Sequence, residues 1–296
     1  MIATKEHCST AKYKGLFVVD LDGTLLNSER QIAEEDLKAL MRLREMEYLV
    51  AIATGRSNYS FDQLMAKLGY SGTPNSLPVD YVIFSTGAGI MDFPGSRLLK
   101  SCTLSPEDVR CASEYLETSG LDYMIHRPVP DTRHFLYSFN GRVNPDFHTR
   151  LKMYSDFATP LSPEMLDDFG GATQVLCIVP GEVGHDVAAE IKSFLKQCSV
   201  IKATSPLDRK SIWIEIFAPT VSKSQAVKWL ADSVGLEQSM TCAVGNDYND
   251  EDLLQWAGKS FIVANGPSSL KTLFQSVASN DNSGVAEAVD CWLANV

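Results

Sequence analysis

No stretch of this sequence approaches the ~18 apolar residues of a membrane span. Residues 1–15 hold no apolar run of signal-peptide length either. The five histidines show no H-E-x-x-H or paired zinc spacing, and the seven cysteines include no C-x-x-C pair. Scattered and odd in number, the cysteines read as reduced thiols of a cytoplasmic protein. Positive charge is also scarce: 26 Lys and Arg stand against 37 Asp and Glu, a formal net charge of −11. A chain this acidic repels a phosphate backbone, which excludes nucleic acid as its main partner. One small anionic substrate at a locally neutralised site remains open. Internal repeats and low-complexity tracts are missing too.

What is present is an ordinary globular composition, 45% apolar and 21% charged over 296 residues, enough for about two domains. Short apolar runs alternate with helical periodicity. Leu16–Val19 is a continuous apolar run, as expected of a strand buried on both faces of a parallel sheet. A helix is expected over 33–48, a strand over 49–53, a helix over 59–68 and a strand over 81–84. The pattern returns near the C-terminus: helix 222–234, strand 241–244, helix 251–257, strand 260–264, helix 284–293. Strand–helix alternation of this kind predicts a doubly wound, parallel α/β sheet. The middle of the chain, 88–217, mixes candidate strands (174–179, 212–217) with helices (106–118, 185–197) and holds four of the five histidines. It is expected to form a second, α+β domain inserted into a discontinuous first domain, 1–87 and 218–296.

In an open α/β sheet, ligands bind beyond the carboxyl ends of the strands. Four expected strands end at Asp20, Thr54, Ser85 and Asn246. They lie far apart in the chain, yet the topology brings them to one rim. Asp20-Leu21-Asp22-Gly23-Thr24 sets two carboxylates two positions apart at a tight turn. That suits a divalent, oxygen-seeking cation, or one carboxylate as nucleophile and one as general acid/base. Thr54 before Gly55 can bond a phosphoryl oxygen, and it can equally cap a helix. Arg56 faces either substrate or solvent. Lys223 opens a helix, where the dipole disfavours a cation, so an anion is expected beside it.

Four segments, VVDLDGTLLNS (18–28), AIATGRS (51–57), VSKSQAV (221–227) and AVGNDYNDEDLL (243–254), stand in one order and spacing. With them the chain resembles the haloacid-dehalogenase-like hydrolases, and more narrowly the Cof-type phosphatases with a large inserted cap. The resemblance runs from about residue 14 to the end and is weakest within the cap. It implies a Rossmann-like core, a cap over 88–217 and a Mg²⁺-dependent phosphomonoesterase. Asp20 would become an aspartyl phosphate, Asp22 would act as acid and base, and Thr54 and Lys223 would hold the phosphoryl group. Gly55 and Arg56 would face substrate. The metal ligands implied are Asp20, Asp22, Asn246 and Asp250. Asn246 departs from the family pattern, which has an acidic residue there, so Asp247 is a candidate ligand beside it. In the cap, Arg127, His134 and Arg142 stand near His148, Tyr123, Tyr137 and Phe139, a polar and aromatic mixture suited to a sugar phosphate or another small phosphorylated metabolite. A phosphomutase of the same superfamily and a non-catalytic phospholigand-binding protein are the competing expectations.

Overall fold

The computed structural model describes residues 12–70, 77–141 and 143–294, so Cys8 and Arg142 lie outside the described residues. In chain order the strands are β1 Gly15–Val19, β2 Tyr48–Ala53, β3 Tyr81–Phe84, β4 Gly89–Asp92, β5 Leu98–Ser101, β6 Tyr123–His126 and β7 Phe135–Ser138. They continue as β8 Ala158–Pro160, β9 Gln174–Val179, β10 Ser199–Thr204, β11 Ile212–Phe217, β12 Thr241–Gly245, β13 Lys259–Val263 and β14 Gln275–Val277.

Two sheets result. The first has the order β14-β13-β12-β1-β2-β3-β4-β5, parallel from β14 to β3. β1 is buried along its whole length, as its unbroken apolar run requires. Phe17 and Val19 enter one apolar cluster, with Leu40, Leu43 and Trp292. Leu16 and Val18 enter the opposite one, with Val227, Leu230 and Leu253. Helices therefore cover both faces, and the fold is the doubly wound α/β arrangement that the alternation predicts. Strand order reverses between β1 and β12, and the crevice at such a switch point is where ligands bind.

The second sheet has the order β10-β11-β9-β6-β7-β8 and is antiparallel except for β7 with β8. The expected boundary at residue 88 needs correction. β4 and β5 lie in the first sheet, as an antiparallel extension of β3. Strand–helix alternation signals parallel neighbours and carries no signal for an antiparallel edge hairpin. Four strands of the second sheet, β6, β7, β8 and β10, lie outside the expected strands: β6, β7 and β8 are only three or four residues long, and β10 is half-buried throughout. The helix expected over 185–197 runs instead over Gly181–Phe194. Gly184 looks like a breaker, but it packs where an added Cβ would stand 2.4 Å from Ile212.

Candidate active site

The ends of β1, β2, β3 and β12 meet at one rim, as their parallel register dictates. Asp20, directly after β1, is 4% exposed, and its N–H donates to the carbonyl of Val244 in β12. Lys223 opens the helix Lys223–Ser233 and is fully buried. Its Nζ donates to Asp20 Oδ1 at 2.7 Å and to Asp250 Oδ1 at 2.5 Å. The anion expected beside this helix-opening cation is thus a pair of carboxylates. Burial lifts the Asp20 carboxyl to about 7, with repulsion from Asp250 adding and Lys223 opposing. Burial works against the Lys223 charge, but the two carboxylates outweigh it and hold the ammonium above the usual lysine range.

Asp250 spends its other oxygen on the N–H groups of Asn246 (2.8 Å) and Asp247 (3.1 Å). Both of its oxygens accept hydrogen bonds, so it shapes the loop and fixes Lys223. Gly245 allows this: a Cβ there would stand 2.6 Å from Asp250. Asp247 is also engaged elsewhere, accepting from the N–H (2.7 Å) and the hydroxyl (3.1 Å) of Thr204 at the end of β10. It ties the first sheet's rim to the second sheet.

Asn246 turns its carboxamide nitrogen toward three oxygens: Asp20 Oδ2 (3.1 Å), Thr24 Oγ1 (3.2 Å) and the Asp22 carbonyl (3.2 Å). Gly23, at φ 80°, makes the turn that brings them together, and an added Cβ would stand 2.6 Å from the Asn246 amide. Hard oxygen donors converging on one point suit a cation such as Mg²⁺. Among the described residues no group of three or more His, Cys, Asp or Glu side chains is arranged to hold a metal. The donor set is one carboxylate and one main-chain carbonyl, and Asn246 adds an amide oxygen only when its carboxamide turns over to face a cation; the set then carries one charge fewer than an aspartate at 246 would provide.

Arg56 pairs with both oxygens of Asp22, Nε and Nη2 each at 2.6 Å, and its Nη1 donates to Ser60 at 3.0 Å. Thr54 is buried, and its hydroxyl oxygen accepts the N–H of Arg56 at 3.1 Å. The helix cap itself is Ser57. Ser85 and Thr86 after β3 both hold positive φ, 46° and 54°, costly for a β-branched residue. Their N–H groups donate to the carbonyls of Arg56 and Thr54, which locks the two turns together.

A cavity of about 670 Å³ opens over this rim, within the range of small-molecule sites. Asp20, Asp22, Gly55 and Arg56 line it from below. From the second sheet it is lined by His126, Gln174, Trp213 and Glu215, and Arg150 joins them from a helix beside that sheet. Arg127 and His134 face away. Arg127 stacks on Phe169, and His134 is bonded to Asp131 at 2.7 Å. Arg127 follows His126 directly, so strand parity turns it to the other face. Glu215 had a visible signal, a lone charge inside the apolar run IWIEIF. It is 3% exposed and accepts from Thr86 at 2.9 Å, and burial lifts its carboxyl to about 7. Arg150 sits in the helix Pro145–Met153 and has no comparable signal.

A buried carboxylate held by a lysine thus sits at the switch point of a parallel α/β sheet, beneath a cavity of small-molecule size. Comparison with known proteins is specific. A family model for haloacid dehalogenase-like hydrolases matches residues 17–289, and the chain belongs to that family. It is 26% identical over 295 residues to a Bacillus subtilis 5-amino-6-(5-phospho-D-ribitylamino)uracil phosphatase, covering 93% of this chain and 97% of the relative. It is 26% identical over 304 residues to the phosphatase YwpJ of the same organism, covering 92% and 97%. The fold matches that of a Streptococcus mutans protein with a TM-score of 0.74, at 19% identity over 95% of this chain and 99% of the other.

Proposed function

We propose that the protein is a Mg²⁺-dependent phosphatase of the Cof type, acting on a small phosphorylated metabolite through an aspartyl-phosphate intermediate. The observation that carries this is Asp20, buried at the switch point, bonded to Lys223 and open to the cavity. The Asp20 carboxylate attacks phosphorus, the ester P–O bond breaks, and the alcohol leaves with a proton from Asp22. Asp22 then takes a proton from water, whose oxygen attacks the aspartyl phosphate, releasing phosphate and restoring Asp20. The incoming phosphoryl group competes with Asp22 for Arg56, which frees Asp22 for these transfers. Lys223 offsets charge on the phosphoryl oxygens, and Thr54 and Gly55 border them. The oxygens at Asp20, Asp22 and Asn246 would hold Mg²⁺, which when bound supplies further positive charge at the phosphoryl group. The segment carrying the second sheet acts as the cap and contributes the leaving-group side of the cavity. The family's phosphatase names support the reaction. Among the described residues no helix is long and apolar enough to cross a membrane, and Cys102, Cys111, Cys177, Cys198 and Cys242 form no disulfide; a cytoplasmic location belongs to the same proposal.

The test is phosphate release from p-nitrophenyl phosphate with added Mg²⁺. Steady release that stops on exhaustive EDTA treatment is expected. Full activity after EDTA overturns the metal dependence, and isomerised sugar phosphate without free phosphate overturns hydrolysis in favour of a mutase.

A further inference from the structure

The three oxygens that face the Asn246 side chain, Asp20 Oδ2, Thr24 Oγ1 and the Asp22 carbonyl, are all acceptors. Both Asp20 oxygens already receive a donor, from Lys223 and from Thr24, as an ionised carboxylate does. The Thr24 hydroxyl has spent its proton on Asp20 Oδ2 at 3.0 Å, and a carbonyl has none to give. Asn246 therefore turns its NH₂ toward them, because its amide oxygen would meet only acceptors. Asp20 and Thr24 are buried, so leaving these lone pairs unanswered would be costly. Two of the three oxygens, Asp20 Oδ2 and the Asp22 carbonyl, are the ones that would hold Mg²⁺ in the function proposed above. The amide hydrogens satisfy the same lone pairs that a cation would.

Charge points the same way. Three carboxylates, Asp20, Asp22 and Asp250, face two cations, Lys223 and Arg56, so the rim carries an excess of one negative charge. An aspartate at 246 would double that excess and set a like charge against Asp20 Oδ2. The acidic residue of this loop stands one place later, at Asp247, where both oxygens are bonded to Thr204. The Asn246 backbone is pinned by Asp250 Oδ2, and its side chain abuts the Gly23 turn. A half-turn of the carboxamide exchanges nitrogen for oxygen within nearly the same volume and disturbs neither contact.

We propose that Asn246 is a two-position ligand: its amide nitrogen closes the Asp20–Asp22 turn by hydrogen bonding in the metal-free protein, and its amide oxygen faces the cation in the loaded one. This rests on the metal-dependent reading above. Loading then breaks these hydrogen bonds and gains one charge fewer than an aspartate would supply, so the chain gives up metal affinity for a rim that is stable without its metal.

The experiment uses Mg²⁺ alone as the probe, at pH 8, with the wild type, Asn246→Asp and Asp247→Asn. Affinity is read by isothermal titration calorimetry, and melting temperature in EDTA and in saturating Mg²⁺. Asn246→Asp is expected to bind Mg²⁺ about tenfold tighter and to melt about 2 °C below the wild type in EDTA, a gap that saturating Mg²⁺ closes or reverses. An affinity within threefold of wild type overturns the proposal. So does an equal melting shift in both buffers, which is what a merely structural role would give. Asp247→Asn is expected to keep its Mg²⁺ affinity within threefold, and a tenfold loss makes Asp247 the ligand and overturns the proposal. If Asn246→Asp does not fold, nuclear magnetic resonance of the wild type decides: the side-chain nitrogen of Asn246 should shift as Mg²⁺ saturates, and an unmoved signal overturns the proposal. None of these readouts is turnover, so they stand whether or not an ester is hydrolysed. If neither the wild type nor Asn246→Asp binds Mg²⁺, the metal-dependent reading has failed and this proposal with it. If both bind it equally, only this proposal has failed.

Discussion

The two walls of the cavity treat polar groups in opposite ways. On the first sheet's rim, Asp20, Asp250, Lys223, Asn246 and Thr24 bond to one another or to backbone N–H groups. On the second sheet's side, Arg150 and Gln174 each keep a buried atom with no partner. In the function proposed above, the lower wall serves the phosphoryl group, which every substrate shares, and its side chains are already hydrogen-bonded to one another. The upper wall faces the leaving group in that reading, and its polar side chains are not tied together in the same way.

The strongest test of the lower wall is Asp20→Asn. An amide is a poor nucleophile, and turnover should fall about 10⁴-fold with the far-ultraviolet circular dichroism intact. Phosphate release above a hundredth of wild type would break the assignment. Next is Lys223→Met. It should lower kcat/KM by about 10²–10³-fold, and by a similar factor on every ester, because it serves the shared group. It also leaves Asp20 and Asp250 as uncompensated buried carboxylates, so urea melts should show a loss of about 3–5 kcal/mol. Reordering of the substrate ranking by this variant would erase the contrast between the walls.

Asp36 sharpens the comparison from outside the cavity. Its Oδ2 is another orphaned buried atom, and Asp36 does not line the cavity. Burial lifts its carboxyl to about 6, above the ordinary 3.8. The folded state therefore holds this proton to higher pH than the unfolded chain does. Stability should fall as pH rises from about 4 to 6, and the full cost persists above 6. Asp36→Asn should recover about 1 kcal/mol at pH 8 and almost none at pH 4 in paired urea melts. Equal effects at both pH values would refute the assignment. The smallest effects belong to Arg127→Ala and His134→Ala. Both side chains face away from the cavity, so kcat/KM should stay within about twofold on all esters and the ranking should hold. A change in ranking would return them to the site.

Much of the lower wall was legible because its information is local. A continuous apolar run ending in Asp20-Leu21-Asp22-Gly23-Thr24 states a buried strand, its end and its turn within a few residues. The upper wall was not legible in that way. Arg127 and His134 have the right chemistry and the wrong side of their segments. Their neighbours His126 and Arg133 border the cavity instead.

By itself, the amino-acid sequence determined the alternating α/β grammar, the family and the carboxylates at the ends of β1 and β12. Each follows from short-range periodicity, turn chemistry and spacing. Only the tertiary structure decided that Asp250 braces Lys223, that Asp247 reaches Thr204, and that Arg56 closes on Asp22. It also decided that residues 89–101 extend the first sheet and that Arg150 meets His126 over the cavity. Those outcomes depend on strand parity and on register between segments distant along the chain. A shift of one residue turns a side chain to the opposite face, and no local pattern records which face another sheet will cover.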